Sequence, residues 1–301
     1  MSARRILITG GTGLLGGALL DAATEGEEVF ATYYHNLPPA EWRHRFYPLD
    51  VRDEAAVMQL LESVRPHIVI HTASRGSVDE AERDPDGVRR VNVDGTLAVA
   101  RVCARLGARV VFISSNAVFD GAHPPYAEDS PVQAMNRYGA LKIEAEARLR
   151  ELRQPHLVIR PILMYGWPWP GGRENVVTRW LSQLEQGQPV EVAADVTSMP
   201  LLSTNCAQAV WAAARLGRCE IYHVAGADRV SLVEFARATA REFDADERLV
   251  VAVPSAQLSG LAPRPLDTSF VTARMERELG VRPVGIAEGL ASLHRTRILA
   301  S

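Results

Sequence analysis

Arg5-Ile6-Leu7-Ile8-Thr9-Gly10-Gly11-Thr12-Gly13-Leu14-Leu15-Gly16 is an apolar run that breaks into glycines and resumes as an apolar helical pattern. The order of its parts decides the fold. A strand that turns tightly through glycine into a helix leaves the first helical N–H groups free, and these receive a pyrophosphate. Gly10, Thr12, Gly13, Leu14, Leu15 and Gly16 are therefore expected to cradle a dinucleotide.

Further short apolar runs follow: Glu28 to Thr32, His67 to His71, Arg109 to Ile113 and Leu157 to Arg160. None alternates polar with apolar residues, so each strand is buried on both faces, as in a parallel sheet covered by helices. Helical signals lie between them. Asp53 caps a run through Val64, Asp84-Pro85 opens a helix carrying on to about Leu106, and Asn136 begins one through Leu152. This alternation predicts an α/β fold, a Rossmann-type doubly wound parallel sheet over residues 1–163. A smaller mixed α/β lobe for substrate is expected over 164–301, with segments around 190–220 returning to the first domain. It begins with the loop Trp167-Pro168-Trp169-Pro170-Gly171-Gly172 and is mainly helical: Val176 to Gln186, Thr204 to Leu216, and Ser231 to about Phe243 behind a capping box. Leu261 to Pro265 reads as irregular.

Composition narrows the function. A net charge of -3 over 301 residues offers no basic field, which argues against nucleic acid as a partner. No apolar stretch is long enough to span a membrane. Met1 to Ile8 reads as the approach to a buried strand, since no small-residue cleavage pattern follows it. Cys103, Cys206 and Cys219 form no C-x-x-C pair and read as reduced thiols, so the expected location is cytoplasmic. His67 and His71, four apart on a strand, would stand about 13 Å apart, and no metal site is expected.

A dinucleotide site for NAD places an acid near the end of the second strand to bind the ribose 2′-hydroxyl. That place reads Ala31-Thr32-Tyr33-Tyr34-His35-Asn36. Its lack of an acid favours NADP(H), with NAD(H) still admitted; Arg43 and Arg45 are the nearest arginines. Tyr33 falls at this end, and Asp50-Val51, after the third strand, suits an adenine contact.

Of 33 basic residues only Lys142 is lysine. Tyr138 lies four residues before it, on the same helical face. A phenol ordinarily titrates near pH 10, and a neighbouring ammonium moves it toward neutrality, where it serves as an acid or base. Arginine lacks the compact head that also donates to ribose hydroxyls. Ser114-Ser115 ends a strand where ligands collect in open α/β sheets, and Ser115 can hydrogen-bond a carbonyl.

The glycine loop, Asn92-Val93-Asp94-Gly95-Thr96, the serine pair, Tyr-x-x-x-Lys, and Arg160-Pro161 followed by Tyr165-Gly166 resemble the extended short-chain dehydrogenase/reductases. Val78 to Glu82, Val118 to Gly121, Pro125 to Asp129 and Arg264-Pro265 are similar to the dTDP-4-dehydrorhamnose reductases within it. The resemblance implies that Ser115, Tyr138 and Lys142 form a catalytic triad, with Tyr138 protonating the carbonyl oxygen of a nucleotide-linked keto sugar. It implies that Thr72, Ala73, Ser74, Asn92, Pro161 and Ile162 line the cofactor, and that Asn116, Ala117, Glu174, Asn175 and Arg264 face the substrate. Those reductases usually read Ser-Thr-Asp-Tyr-Val-Phe where this chain has Ser114-Ser115-Asn116-Ala117-Val118-Phe119. The lost charge and ring point to an altered sugar. Trp167 and Trp169 could stack on a base or pack the lobe. A homodimer is compatible with the resemblance. Two alternatives stay open: a regulatory subunit resembling the NADP-binding β subunit of methionine adenosyltransferase, and a sugar-nucleotide epimerase.

Overall fold

The computed structural model describes residues 4–24, 26–152, 155–258, 260 and 262–300. Its main sheet holds seven parallel strands: β1 (Arg4–Thr9), β2 (Glu27–Tyr33), β3 (Phe46–Pro48), β4 (Ile68–His71), β5 (Arg109–Ile113), β6 (His156–Pro161) and β11 (Ile221–Val224). Their order is β11-β6-β5-β4-β1-β2-β3. This is the doubly wound arrangement expected of continuous apolar strands. Both faces are covered. Ile6 and Ile8 pack in one apolar layer with Leu15 and Leu19 of α1 (Leu14–Asp21) and Trp211 of α8 (Ser203–Leu216). Leu7 and Val69 face the other, against α2 (Glu54–Val64), α5 (Thr96–Leu106) and α6 (Arg137–Glu151). Each fully buried aliphatic chain contributes about 1.5–3 kcal/mol.

The helix from Asp84 is less regular than expected. Asp84 caps α4 (Pro85–Arg89), which passes through a π turn, Arg90–Gly95, before α5 begins. A separate short helix, α3 (Val78–Arg83), precedes it behind a Ser77 cap; the residue pattern had not announced it. β4 begins one residue later than expected, and His67 precedes it with its Nδ1 accepting from Arg5 N at 3.0 Å. His71 is buried between Thr9 and Thr96 at 2.7 and 3.0 Å. Burial, then the nearby Lys142 charge, lowers it to about 3, and it stays neutral.

The C-terminal part carries α7 (Val176–Glu185), α9 (Leu232–Glu242), α10 (Ala273–Leu279) and α11 (Ile286–Ala300). Short strands join them: β7 (Met164–Tyr165) pairs with β10 (Leu201–Leu202), β9 (Thr197–Ser198) with β12 (Val230–Ser231), and β8 (Val190–Ala193) with β13 (Val250–Val253). Residues 190–193 therefore pair outside the main sheet. The stretch that packs back on it is α8 with β11, where Trp211 Nε1 donates to Leu19 O at 3.0 Å. Leu261 and Met1 to Ala3 lie outside the described residues. Among the described residues no helix is long and apolar enough to cross a membrane, and no group of three or more His, Cys, Asp or Glu could hold a metal.

Candidate active site

The glycine loop is built so closely that side chains would not fit. Gly10 has φ +71°, and a Cβ there would stand 2.8 Å from the Ala73 backbone. At Gly16 it would lie 2.4 Å from Gly10 O. Gly10 N and Gly11 N donate to Thr32 Oγ1 and O at 3.2 and 2.8 Å, which ties the loop to β2. Gly13 caps α1 without a side-chain bond, and no acid occupies the first turn. The opening N–H groups of that helix, on Leu14, Leu15 and Gly16, lack intrahelical acceptors and sit at the positive end of its dipole. The loop thus fits a pyrophosphate. Thr72 braces it from below, its hydroxyl donating to Thr9 O at 2.6 Å.

The end of β2 and the turn after it, Thr32 to Asn36, carry no carboxylate of their own. Tyr34 is exposed, and Arg52 covers it, Nη2 donating to Tyr34 Oη at 2.8 Å with the guanidinium carbon 5.6 Å from the ring centre. The cation reaching this place is therefore Arg52. Arg43 and Arg45, in a short 3₁₀ helix, Ala40–Arg45, are engaged with Pro38 O and His44. Arg52 also grips Asp50 through two nitrogens, at 2.9 and 2.6 Å, and holds that carboxyl below its ordinary range. Val51 is buried against Gly95.

Ser115, at the end of β5, caps a single turn over Asn116–Val118, its Oγ accepting from Ala117 N at 3.1 Å. Helix α6 lies directly on that turn, because a Cβ at Gly139 would be 1.9 Å from Ala117 O. Asn136 fixes the helix start, accepting from Gly139 N at 2.9 Å and donating to Pro263 O at 3.0 Å. This packing sets the half-buried Tyr138 beside Ser115 and Ser74. One turn on, Lys142 is only 2% exposed. Its Nζ donates to Ile113 O at 2.9 Å and lies 5.0 Å from the Phe112 ring centre and 5.7 Å from that of Tyr138.

The electrostatics correct one expectation. Burial holds the Tyr138 phenol above its ordinary value, opposed by hydrogen bonds to Ser74 and Ser115 and by the charge of Arg173. Lys142 does not lower it, because a lysine that titrates at about 8 has lost its charge before a phenol held above its ordinary value ionises. Burial pushes Lys142 itself down to about 8, partly offset by Glu146.

Beneath the serines lies a network that the residue pattern did not reveal. Glu146, 1% exposed, accepts from Ser114 Oγ at 2.6 Å and from Arg160 Nε and Nη2 at 3.0 and 2.7 Å. It fixes the end of β5 to β6. Pro161 closes β6, with Ile162 buried just beyond. Asn92, buried in the π turn, accepts from Arg75 N and Ser74 Oγ at 2.8 and 3.1 Å and donates to Arg75 O at 3.0 Å. It therefore holds the loop after β4 and makes no ordinary helix–helix bond.

On the expected substrate side the residues divide. Asn116 and Ala117 remain half-buried at the cleft, with Asn116 Nδ2 donating to Thr268 Oγ1 at 2.6 Å. Glu174 is exposed. Asn175 is engaged elsewhere: it caps α7, accepting from Val177 N and Thr178 N, and donates to Gly166 O at 2.7 Å. Arg264 is held by Asp79 at 2.8 Å. Both tryptophans are anchors. Trp167 Nε1 donates to Leu293 O at 2.8 Å, and Trp169 packs against Gly17, Trp42 and Phe46.

Comparisons with known proteins agree with this architecture. The chain matches the family described as the RmlD substrate binding domain over residues 4–297. The β subunit of methionine adenosyltransferase 2 from Xenopus laevis is 38% identical over 164 residues, 54% of this chain and 48% of that protein, so the match spans about half the length of that relative. dTDP-4-dehydrorhamnose reductase of Mycobacterium tuberculosis is 31% identical over 282 residues, 91% of this chain and 86% of its own. The structure of dTDP-4-dehydrorhamnose reductase from Bacillus anthracis in complex with NADP superposes with a TM-score of 0.86 at 25% identity, covering 97% of this chain and 99% of that one. UDP-glucose 4-epimerase of Thermotoga maritima shares the fold at 21% identity, with a TM-score of 0.86 and coverage of 99% and 100%. Since a single family accounts for nearly every residue from the first strand to the last helix, the chain belongs to the RmlD family.

Proposed function

We propose that the protein is an NADP(H)-dependent reductase of a keto group on a nucleotide-linked deoxy sugar, with Ser115, Tyr138 and Lys142 as its catalytic residues. The observation that carries this reading is the placement of Tyr138 on α6, packed on the turn that Ser115 caps and one helical turn from the buried Lys142, whose Nζ lies 5.7 Å from the Tyr138 ring centre. The nicotinamide, when bound, supplies hydride to the carbonyl carbon. Ser115 holds the carbonyl oxygen, and Tyr138 gives it a proton. Below about pH 8 Lys142 keeps its proton, and its ammonium, 5.7 Å from the Tyr138 ring centre, offsets the charge of the resulting phenolate, which regains its proton from water. General acid catalysis of this kind contributes roughly 10²–10⁴-fold. Residues 1–163 form the cofactor domain and 164–301 mainly the substrate lobe, with α8 and β11 returned to the sheet. The structure of a relative in complex with NADP supports the cofactor choice, as does Arg52 where an acid would select NAD.

Because Asn116 and Ala117 stand where the similar reductases usually carry aspartate and tyrosine, the preferred sugar differs from dTDP-4-dehydrorhamnose. The test is NADPH oxidation with a panel of nucleotide 4-keto sugars. Tyr138→Phe and Lys142→Arg are expected to abolish turnover while NADPH still binds; full turnover in either removes the mechanism, and a clear preference for dTDP-4-dehydrorhamnose removes the substrate inference. The higher identity to the methionine adenosyltransferase β subunit supports a second reading, an NADP-binding regulatory subunit. Stoichiometric capture of a partner enzyme, with no keto sugar turned over, would favour it. A cytoplasmic location and a homodimer belong to the first reading.

A further inference from the structure

The loop between β7 and α7 is fastened on both sides. Trp167 ties it to α11, and Trp169 lies on Gly17 of α1 with Nε1 3.4 Å from Asp21. Asn175 closes its far end on Gly166. Between these anchors stands Arg173. Its Nη1 lies 4.0 Å from where a Gly76 Cβ would be, so it faces the loop after β4 that also carries Ser74. A side chain at position 76 would narrow the approach.

Arg75 and the exposed Arg173 flank Gly76, and they differ in one respect. Arg75 is neutralised, bonded to Glu80 at 2.6 Å and Asp84 at 2.7 Å. Arg173 makes no hydrogen bond or ion pair among the described residues, even with the adjoining Glu174. A guanidinium is a planar fork that matches the two oxygens of a carboxylate or phosphoryl group. Held on an anchored loop, it has less freedom to lose when such a group arrives.

We propose that Arg173 is the anion-recognising residue of this cleft, receiving a phosphoryl or carboxylate group of the substrate while the substrate carbonyl lies at Ser115 and Tyr138. This rests on the reductase reading for the carbonyl and extends it to a recognition residue on the loop before α7. The effect of the Arg173 charge at the Tyr138 phenol is consistent with that proximity.

The test is calorimetric titration of the NADP⁺-loaded protein with UDP-glucose and with UDP-glucuronate, which share a diphosphate and differ in a sugar carboxylate. Arg173→Gln is expected to weaken binding tenfold or more, Arg173→Lys to recover part of it, and NADP⁺ affinity to be unchanged in both. Equal losses for the two ligands assign the phosphoryl group. A loss confined to UDP-glucuronate assigns the carboxylate. Unchanged binding of both overturns the proposal, as does an equal loss of NADP⁺ affinity, which would place Arg173 on the cofactor. Should the wild type bind neither sugar nucleotide, the nucleotide-sugar reading fails separately. Inorganic pyrophosphate then decides: binding lost in Arg173→Gln upholds the anion site, and no difference between the two proteins rejects it.

Discussion

Lys142→Met should abolish turnover and change how stability depends on pH. The lysine is depressed from 10.5 to about 8 in the fold, chiefly by burial. Each pKa unit corresponds to about 1.4 kcal/mol, so keeping the ammonium inside costs about 3 kcal/mol at neutral pH. The sign follows from linkage. Between pH 8 and 10.5 the unfolded chain retains a proton that the folded lysine has released, so this group adds stability as pH rises through that window. Methionine fills similar volume without the charge, but it leaves the Ile113 carbonyl without the 2.9 Å bond, a loss of about 1–3 kcal/mol. The two effects nearly cancel at pH 7 and separate at pH 10. Cys103 and Cys206, both raised by burial to about 12, make stability fall over the same range. They are common to both proteins, and the difference between the two removes them. Urea unfolding at several pH values should therefore show wild type gaining about 2–3 kcal/mol on the variant from pH 7 to pH 10. A difference that does not change with pH would refute the claim that burial controls this lysine.

Three further outcomes follow from the geometry. Gly16→Ala places a methyl 2.4 Å from Gly10 O, so fluorescence titration should show NADPH affinity reduced at least tenfold. Arg52→Ala removes the cation at the end of β2 and should bring the dissociation constants for NADPH and NADH within a few-fold of each other; an unchanged ratio would exclude Arg52 as a 2′-phosphate ligand. Glu146→Gln leaves the buried Arg160 without its carboxylate and should cost about 3–5 kcal/mol in urea unfolding.

Much of the fold was legible because parallel strands buried on both faces need unbroken apolar runs, and β1, β5 and β6 have them. Caps were legible for a similar reason: Asp53, Asn136 and Ser231 each accept the backbone bonds that their side chains suit. The π turn was not, since Arg90 to Gly95 differs from an ordinary helix in its backbone bonding, one residue wider per turn, and side-chain pattern does not report that. Two-residue strands such as β7 and β9 have no period to read. At the site, the tyrosine–lysine spacing was visible, but the direction of the ammonium was not. Asn175 shows the opposite difficulty, because a capping residue and a ligand-binding amide look alike until the acceptor on Gly166 is known. Arg52 and Arg173 were hidden among many arginines, where only position tells a paired cation from a free one.

The same contacts restrict how this cleft can change its substrate. Gly139 presses α6 onto Ala117 O so closely that a Cβ would stand 1.9 Å away, which locks the backbone of the turn bearing Ser115. The backbone cannot shift without separating Ser115 from Tyr138. Variation is therefore confined to side chains that leave this backbone in place, at Asn116 and Ala117, and to the loop between β7 and α7. Asn116 is bonded to Thr268 in the C-terminal part, so altering it also changes how that part meets the turn. Ala117 has no side-chain bond to break, and Arg173 has no partner among the described residues to lose. These two positions can change the sugar while the hydroxyl and phenol stay together.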